Sequence, residues 1–220
     1  MRIARDAWSI VLPLALAAVA AGLLGWTILT WALVILVACV LAFFRDPRRE
    51  VPGAPDLVVA PADGKIVGIT PTDEGELRVS IFMSVFDVHV NRAPVAGRVT
   101  GVHYHKGMFL PAFRDKASLR NEQNRIELDD GTRQLAMVQI AGLVARRIVC
   151  RVAMGDWLER GQRLGLIKFG SRVDLYLPQT IELQVHMGDR VRGGSSVIGR
   201  LVGGDSVPAG NPNSDRPSLL

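Results

Sequence analysis

The sequence predicts a mainly β (β-rich α+β) cytoplasmic domain preceded by an N-terminal helical transmembrane hairpin. Three observations carry that expectation. Residues 7–44 contain no charged side chain. Beyond residue 56 the chain breaks into short strand-like runs punctuated by glycine, and no long helical periodicity interrupts them.

A single helix over residues 7–44 would run about 57 Å, far beyond a hydrocarbon core of about 30 Å. Two helices, at 8–24 and 28–44 with a break near Gly25-Trp26-Thr27, fit better. Arg2 and Arg5 precede the first, and Arg45, Arg48 and Arg49 follow the second. Basic residues at both ends put both ends on the cytoplasmic side. A cleaved signal peptide is the competing reading of the first segment, but the apolar run continues past any suitable cleavage site.

Residues 45–56, charged and proline-rich, read as a linker. The β domain then extends over 57–202, with strands expected at 57–60, 65–69, 77–82, 88–90, 98–105, 125–128, 134–141, 147–152, 163–168, 172–177 and 197–202. One short helix is expected at 115–123. Residues 203–220, rich in Gly, Ser, Pro and Asn, read as a disordered tail.

Composition excludes several classes. The net charge of +5 falls to 24 basic against 20 acidic residues beyond residue 44. With no long basic run and few aromatics, nucleic-acid binding is not expected; a surface facing anionic lipid is. Cys39 and Cys150 show neither metal spacing nor a disulfide framework. His103 and His105 share a strand face without a third ligand at a recognisable spacing, so no metal site is expected.

Two internal echoes recur. Pro61-Ala62-Asp63-Gly64-Lys65-Ile66 matches Pro94-Val95-Ala96-Gly97-Arg98-Val99, and Gly155-Asp156-x-Leu158-x-x-Gly161 matches Gly188-Asp189-x-Val191-x-x-Gly194. Paired units of this kind resemble the hairpins of lipoyl- and biotinyl-type domains, although neither tip carries the lysine of a carrier. The echoes also separate two Gly-Ser pairs. Gly194-Ser195 is accounted for as a turn, since Gly194 stands where Gly161 does. Gly170-Ser171 lies outside both copies. Asp63 stands out too, because its counterpart is Ala96. Taken singly, Gly170-Ser171 reads as a strand-junction turn or bulge, Asp63 as a turn aspartate, and His89 as a structural histidine.

Together these residues carry a resemblance. Phe169-Gly170-Ser171-Arg172-Val173-Asp174 resembles the self-cleavage site of the short bacterial and archaeal type of phosphatidylserine decarboxylase. The match extends through Pro61-Ala62-Asp63-Gly64, the segment 82–97 with His89, and Asp115-Lys116-Ala117-Ser118 with Asn121-Glu122. The long type carries a second histidine three residues after the one matching His89; Arg92 stands there in this chain.

The resemblance implies a proenzyme that cuts itself between Gly170 and Ser171. Ser171 would attack the Gly170 carbonyl, with His89 as base and Asp63 as the carboxylate orienting it. Elimination and hydrolysis would leave a pyruvoyl group in place of Ser171. That group would form a Schiff base with the serine headgroup and act as the electron sink for its decarboxylation to phosphatidylethanolamine. Arg92, Arg114 and Lys116 are candidates for the lipid phosphate. The implied partners are phosphatidylserine in the inner (plasma) membrane and the two chains of one cleaved precursor; the residues leave oligomeric state open, a homo-oligomer included. Two other readings remain at this stage: a non-catalytic membrane-anchored β module, and a tethered serine hydrolase using Ser171, His89 and Asp63. The second lacks a Gly-x-Ser-x-Gly elbow.

Overall fold

The computed structural model describes residues 2–107, 121–142, 147–168 and 170–202. Strand β1 (Arg2–Ile3) leads through a short 3-10 turn into helix α1 (Trp8–Leu23), and α2 (Thr27–Phe43) returns to β2 (Arg45–Asp46). The strands β1 and β2 pair antiparallel, closing the base of the helical pair. Both helices carry apolar side chains over most of their circumference, and Leu16, Val19, Ile28, Trp31 and Ile35 are exposed. The segment Arg5–Leu23 is long and apolar enough to cross a membrane; Thr27–Phe43 is shorter, at 17 residues.

The remaining strands are β3 (Leu57–Val59), β4 (Gly64–Pro71), β5 (Glu76–Met83), β6 (Val90–Arg92), β7 (Gly97–His105), β8 (Gln123–Asp129), β9 (Gln134–Ile140), β10 (Ile148–Cys150), β11 (Trp157–Leu158), β12 (Arg163–Ile167), β13 (Ser171–Pro178), β14 (Ile181–Leu183), β15 (Arg190–Val191) and β16 (Val197–Leu201). Eight of them form one curled antiparallel sheet, in the order β11-β7-β8-β9-β13-β5-β4-β15. Two three-stranded sheets, β10-β12-β6 and β14-β16-β3, complete the domain.

The sequence echoes are the two ends of the large sheet. Leu158 pairs with Gly97 at one end and Val191 with Gly64 at the other. The backbone bonds repeat as well. Val99 N–H donates to Asp156 and Ile66 N–H to Asp189, while Gly161 N–H donates to Ala93 and Gly194 N–H to Ala60. Each half therefore pairs a strand from one echo with the turn of the other. Between the halves lies a core built from Ile66, Ile81, Met83, Ile126, Leu128, Met137, Ile167, Val173 and Leu175, all fully or almost fully buried.

The segment between helices and domain differs from a free linker. Arg160 donates to the carbonyls of Pro52, Ala54 and Leu57. Arg92 holds Asp46 at 2.6 Å and the carbonyl of Pro47 at 3.2 Å. Arginine forks satisfy carbonyls that proline-rich backbone cannot satisfy in a ladder, so the segment is strapped down. Of the helix expected at 115–123, residues 115–120 lie outside the described residues, and Gln123 opens strand β8. The expected tail, 203–220, lies outside them as well.

Candidate active site

Ser171 is the first residue of β13, where it faces Met83, the last residue of β5. Strand alternation puts Ser171 on the same face as Val173, Leu175 and Leu177, all buried in the core. Its hydroxyl is wholly buried and donates to the Met83 thioether at 3.4 Å. Gly170 before it has φ +53, in the left-handed region that side chains avoid, and no atom stands within 4 Å of where a Cβ would sit. A left-handed residue ends the approach from β12 and starts β13, with residue 169 outside the described residues.

His89 lies just before β6, whose Val90 pairs with Leu166 of β12. The His89 carbonyl accepts from Ile167 N–H at 3.3 Å, so the histidine and the serine sit at the two ends of one short connection. His89 is 2% exposed. Its ring is tilted against Phe43, the last residue of α2, with centroids 4.2 Å apart. Burial pushes the imidazole down to about 4, against the raising pulls of the Asp87 carbonyl and carboxylate. At neutral pH the ring is therefore neutral. Its Nδ1 lies 2.9 Å from the Asp87 carbonyl, an acceptor only, so Nδ1 carries the proton. Nε2 keeps the lone pair, buried and without a partner among the described residues. A neutral imidazole with its basic nitrogen bare is ready to take a hydroxyl proton.

Asp63 is bonded to other partners. Its carboxylate holds both oxygens against Arg49 Nη2, at 2.6 and 2.8 Å, and accepts from Gly193 N–H at 2.8 Å. Burial raises its pKa, outweighing the lowering by Arg49. The contact that orients His89 is thus the Asp87 carbonyl, and the direct partner of Asp63 is Arg49. Arg92 is 7% exposed, and its guanidinium is occupied by Asp46 and the carbonyls of Gly161 and Pro47. Arg114 and Lys116 lie outside the described residues. Among the described residues no group of three or more His, Cys, Asp or Glu could hold a metal; His103 faces Glu127 at 3.7 Å.

Three amides line up behind the serine, and sequence reasoning did not single them out for chemistry. Asn124 Nδ2 donates to Gln139 Oε1 at 3.0 Å, and Gln139 Nε2 to Asn91 Oδ1 at 2.9 Å. That direction turns the Asn91 NH2 towards Met83, 3.8 Å from the same sulfur that Ser171 meets. All three amides are buried. The available signal was polar residues inside apolar strands, as with Gln139 within Gln134–Ile140. Arg172 and Asp174, on the opposite face from Ser171, form a buried pair at 2.6 Å, and Arg172 also reaches Ser80 at 2.7 Å.

These features define a class: a β-rich enzyme domain seated on apolar helices, with a buried serine behind a left-handed glycine at a strand junction and a buried neutral histidine on the strand connection before β6. The family model for phosphatidylserine decarboxylase matches residues 36–199. The chain is 47% identical over 197 residues to a phosphatidylserine decarboxylase proenzyme of Magnetococcus marinus, covering 86% of this chain and 90% of that protein. Proteins of the same name from Desulfotalea psychrophila and Burkholderia ambifaria are 48% and 43% identical, covering 80% and 90% of this chain and 85% and 96% of theirs. The chain belongs to the phosphatidylserine decarboxylase family.

Proposed function

We propose that this chain is a proenzyme that cleaves itself between Gly170 and Ser171 and then decarboxylates phosphatidylserine to phosphatidylethanolamine. The observation that carries the reading is the buried Ser171 after a left-handed glycine, four residues beyond Ile167, whose N–H is bonded to the carbonyl of a neutral histidine with an unpartnered basic nitrogen. His89 Nε2 takes the Ser171 proton as Oγ attacks the Gly170 carbonyl. The bond between that carbon and the Ser171 nitrogen then breaks, and the nitrogen receives the proton. Elimination frees the Gly170 carboxylate, and hydrolysis of the remaining dehydroalanine releases ammonia.

A pyruvoyl group fits the place of Ser171, because it has no more heavy atoms than the residue it replaces. When formed, it supplies an electron-accepting carbonyl. The chain's own part is to hold that terminus still. β13 is paired along its length with β5 and, over Arg172–Tyr176, with β9, so the new N-terminus is anchored to β5, the next residue is held on both sides, and the two chains stay together. In this reading Asp63 acts through Arg49, seating the strapped segment against the turn at Gly193. The helical pair spans the inner membrane with the catalytic domain on the cytoplasmic side, which brings the site to a lipid that does not leave the bilayer.

An intact mass spectrum under denaturing conditions tests the cleavage. Wild type runs as two chains, the smaller beginning with a ketone-capped residue 171. Ser171→Ala stays whole and inactive, and Ser195→Ala is cut normally. Full activity in an uncut wild-type chain overturns the proposal.

A further inference from the structure

The connection from β5 to β6 is a turn with a rigid base and an apolar tip. Asp87 Oδ2 accepts from Ser84 N–H at 2.8 Å and from Ser84 Oγ at 2.7 Å. Its Oδ1 faces Arg190 at 3.2 Å, and its carbonyl accepts from His89. These polar contacts fix the turn. Its two large apolar side chains bury little: Phe86 is 82% exposed and Val85 48%.

A second observation fixes where the tip lies. Arg45, two residues past the end of α2, donates to the Ala42 carbonyl of the last helical turn at 2.7 Å and to the Phe86 carbonyl at 2.5 Å. One guanidinium therefore separates the Phe86 backbone from the foot of a helix whose Ile28, Trp31 and Ile35 are exposed. An arginine at a membrane boundary keeps its charged end at headgroup level. The tip thus stands one guanidinium away from the foot of α2, at the boundary where the apolar helix ends.

We propose that Val85 and Phe86 insert into the bilayer interface beside α2, as an anchor separate from the helices. His89 follows Phe86 by three residues and packs on Phe43 at the same foot, so insertion sets the catalytic histidine at headgroup depth. The occupant is the phospholipid interface itself, because the tip is tied by Arg45 to the foot of an apolar helix flanked by arginines. The inference rests on the membrane reading of the helical pair.

The test uses the full chain in phosphatidylcholine–phosphatidylglycerol vesicles, with Cys39→Ser and Cys150→Ser and one NBD-labelled cysteine. The label sits at Phe86→Cys, at Ile35→Cys within α2, or at Glu74→Cys. Glu74 lies in the turn beyond the far end of β5, about 26 Å away along an eight-residue strand. Quenching lipids carry a doxyl group near the headgroup or deep in the acyl chain. The expected result is a blue-shifted label at 86, quenched more by the shallow group than by the deep one, with no effect at 74. A label at 86 with aqueous emission, while 35 is quenched, overturns the insertion and leaves the helical reading standing. No quenching at either 86 or 35 overturns both. A blue shift at 86 without lipid quenching assigns the tip to a protein partner and also overturns the proposal. As a kinetic companion, Phe86→Ser raises KM on vesicles about tenfold, the loss expected for partial burial of a phenyl group. It leaves kcat and turnover of a water-soluble short-chain substrate unchanged.

Discussion

Replacing Phe43 tests whether burial under the foot of α2 sets the protonation state of His89. The two ring centroids are 4.2 Å apart, and loss of solvent is the main reason the imidazole falls from 6.5 to about 4. At about 1.36 kcal/mol per unit, charging this ring in place costs about 3 kcal/mol more than in water. A histidine held below its unfolded value contributes stability in full above about 6.5, and that contribution is lost as the pH falls towards 4. At pH 5 a ring with this value is about 90% neutral, against about 3% for an ordinary histidine. Self-cleavage should therefore keep its rate from neutral pH down to about 5, as far as His89 limits it. Phe43→Ala opens the ring to water and should raise its midpoint by about one unit or more; Phe43→Leu, which keeps apolar cover, should raise it less. The assay is NMR titration of ¹⁵N-labelled histidine in the uncut Ser171→Ala background. A parent midpoint above about 6, or a Phe43→Ala midpoint within about 0.3 unit of the parent, refutes the reasoning.

Three further outcomes follow from the same geometry. Gly170→Ala meets open space but forces a side chain into a left-handed conformation, at about 1–2 kcal/mol; the protein should fold and be cut more slowly, which a timed gel of the two chains reads. Arg172→Met takes the bidentate partner from the fully buried Asp174 and should destabilise the domain by about 3–5 kcal/mol, seen as a large fall in the thermal midpoint of detergent-solubilised protein. Asn91→Leu leaves Gln139 Nε2 without its acceptor and removes the donor facing Met83; cleavage should slow, whereas Asn124→Leu, two amides further along the chain from Met83, should slow it less.

The parts of the fold that were legible in the sequence are those set by local pattern. The uncharged run at 7–44 became two apolar helices, and the glycine-punctuated runs became strands. The echoes became the paired ends of one sheet, which is why Gly194 is a turn and Gly170 is free to be something else. The two-residue strands β11 and β15 escaped notice because they owe their existence to partners far away in sequence, Gly97 and Gly64. The site was half legible. Gly170, Ser171 and His89 were singled out by the family resemblance, since taken one at a time each reads as structural. The pairing of Asp63 with Arg49 did not, since a strap had to bring residue 49 back over the domain. Nor did the contact of His89 with Phe43, which joins a residue read as part of a membrane helix to one read as part of a strand end.

That last contact bears on what the helices are for. A flexible tether would leave the domain's surfaces intact when removed. Here Ala7, Val11, Phe43 and Phe44 form one buried cluster with Leu166 of β12, and Val149 of β10 packs against it. Leu166 pairs with Val90, the residue after His89, so cutting the chain after residue 44 would retain Ser171 and His89 and still uncover the strand that pairs beside His89. It would also strip the apolar face from the imidazole. Deleting residues 2–44 should then impair cleavage itself, in detergent where no membrane is needed. A mere tether would lose only turnover of bilayer substrate. Clean two-chain processing of the deleted form, at the wild-type rate, would assign the helices to anchoring alone.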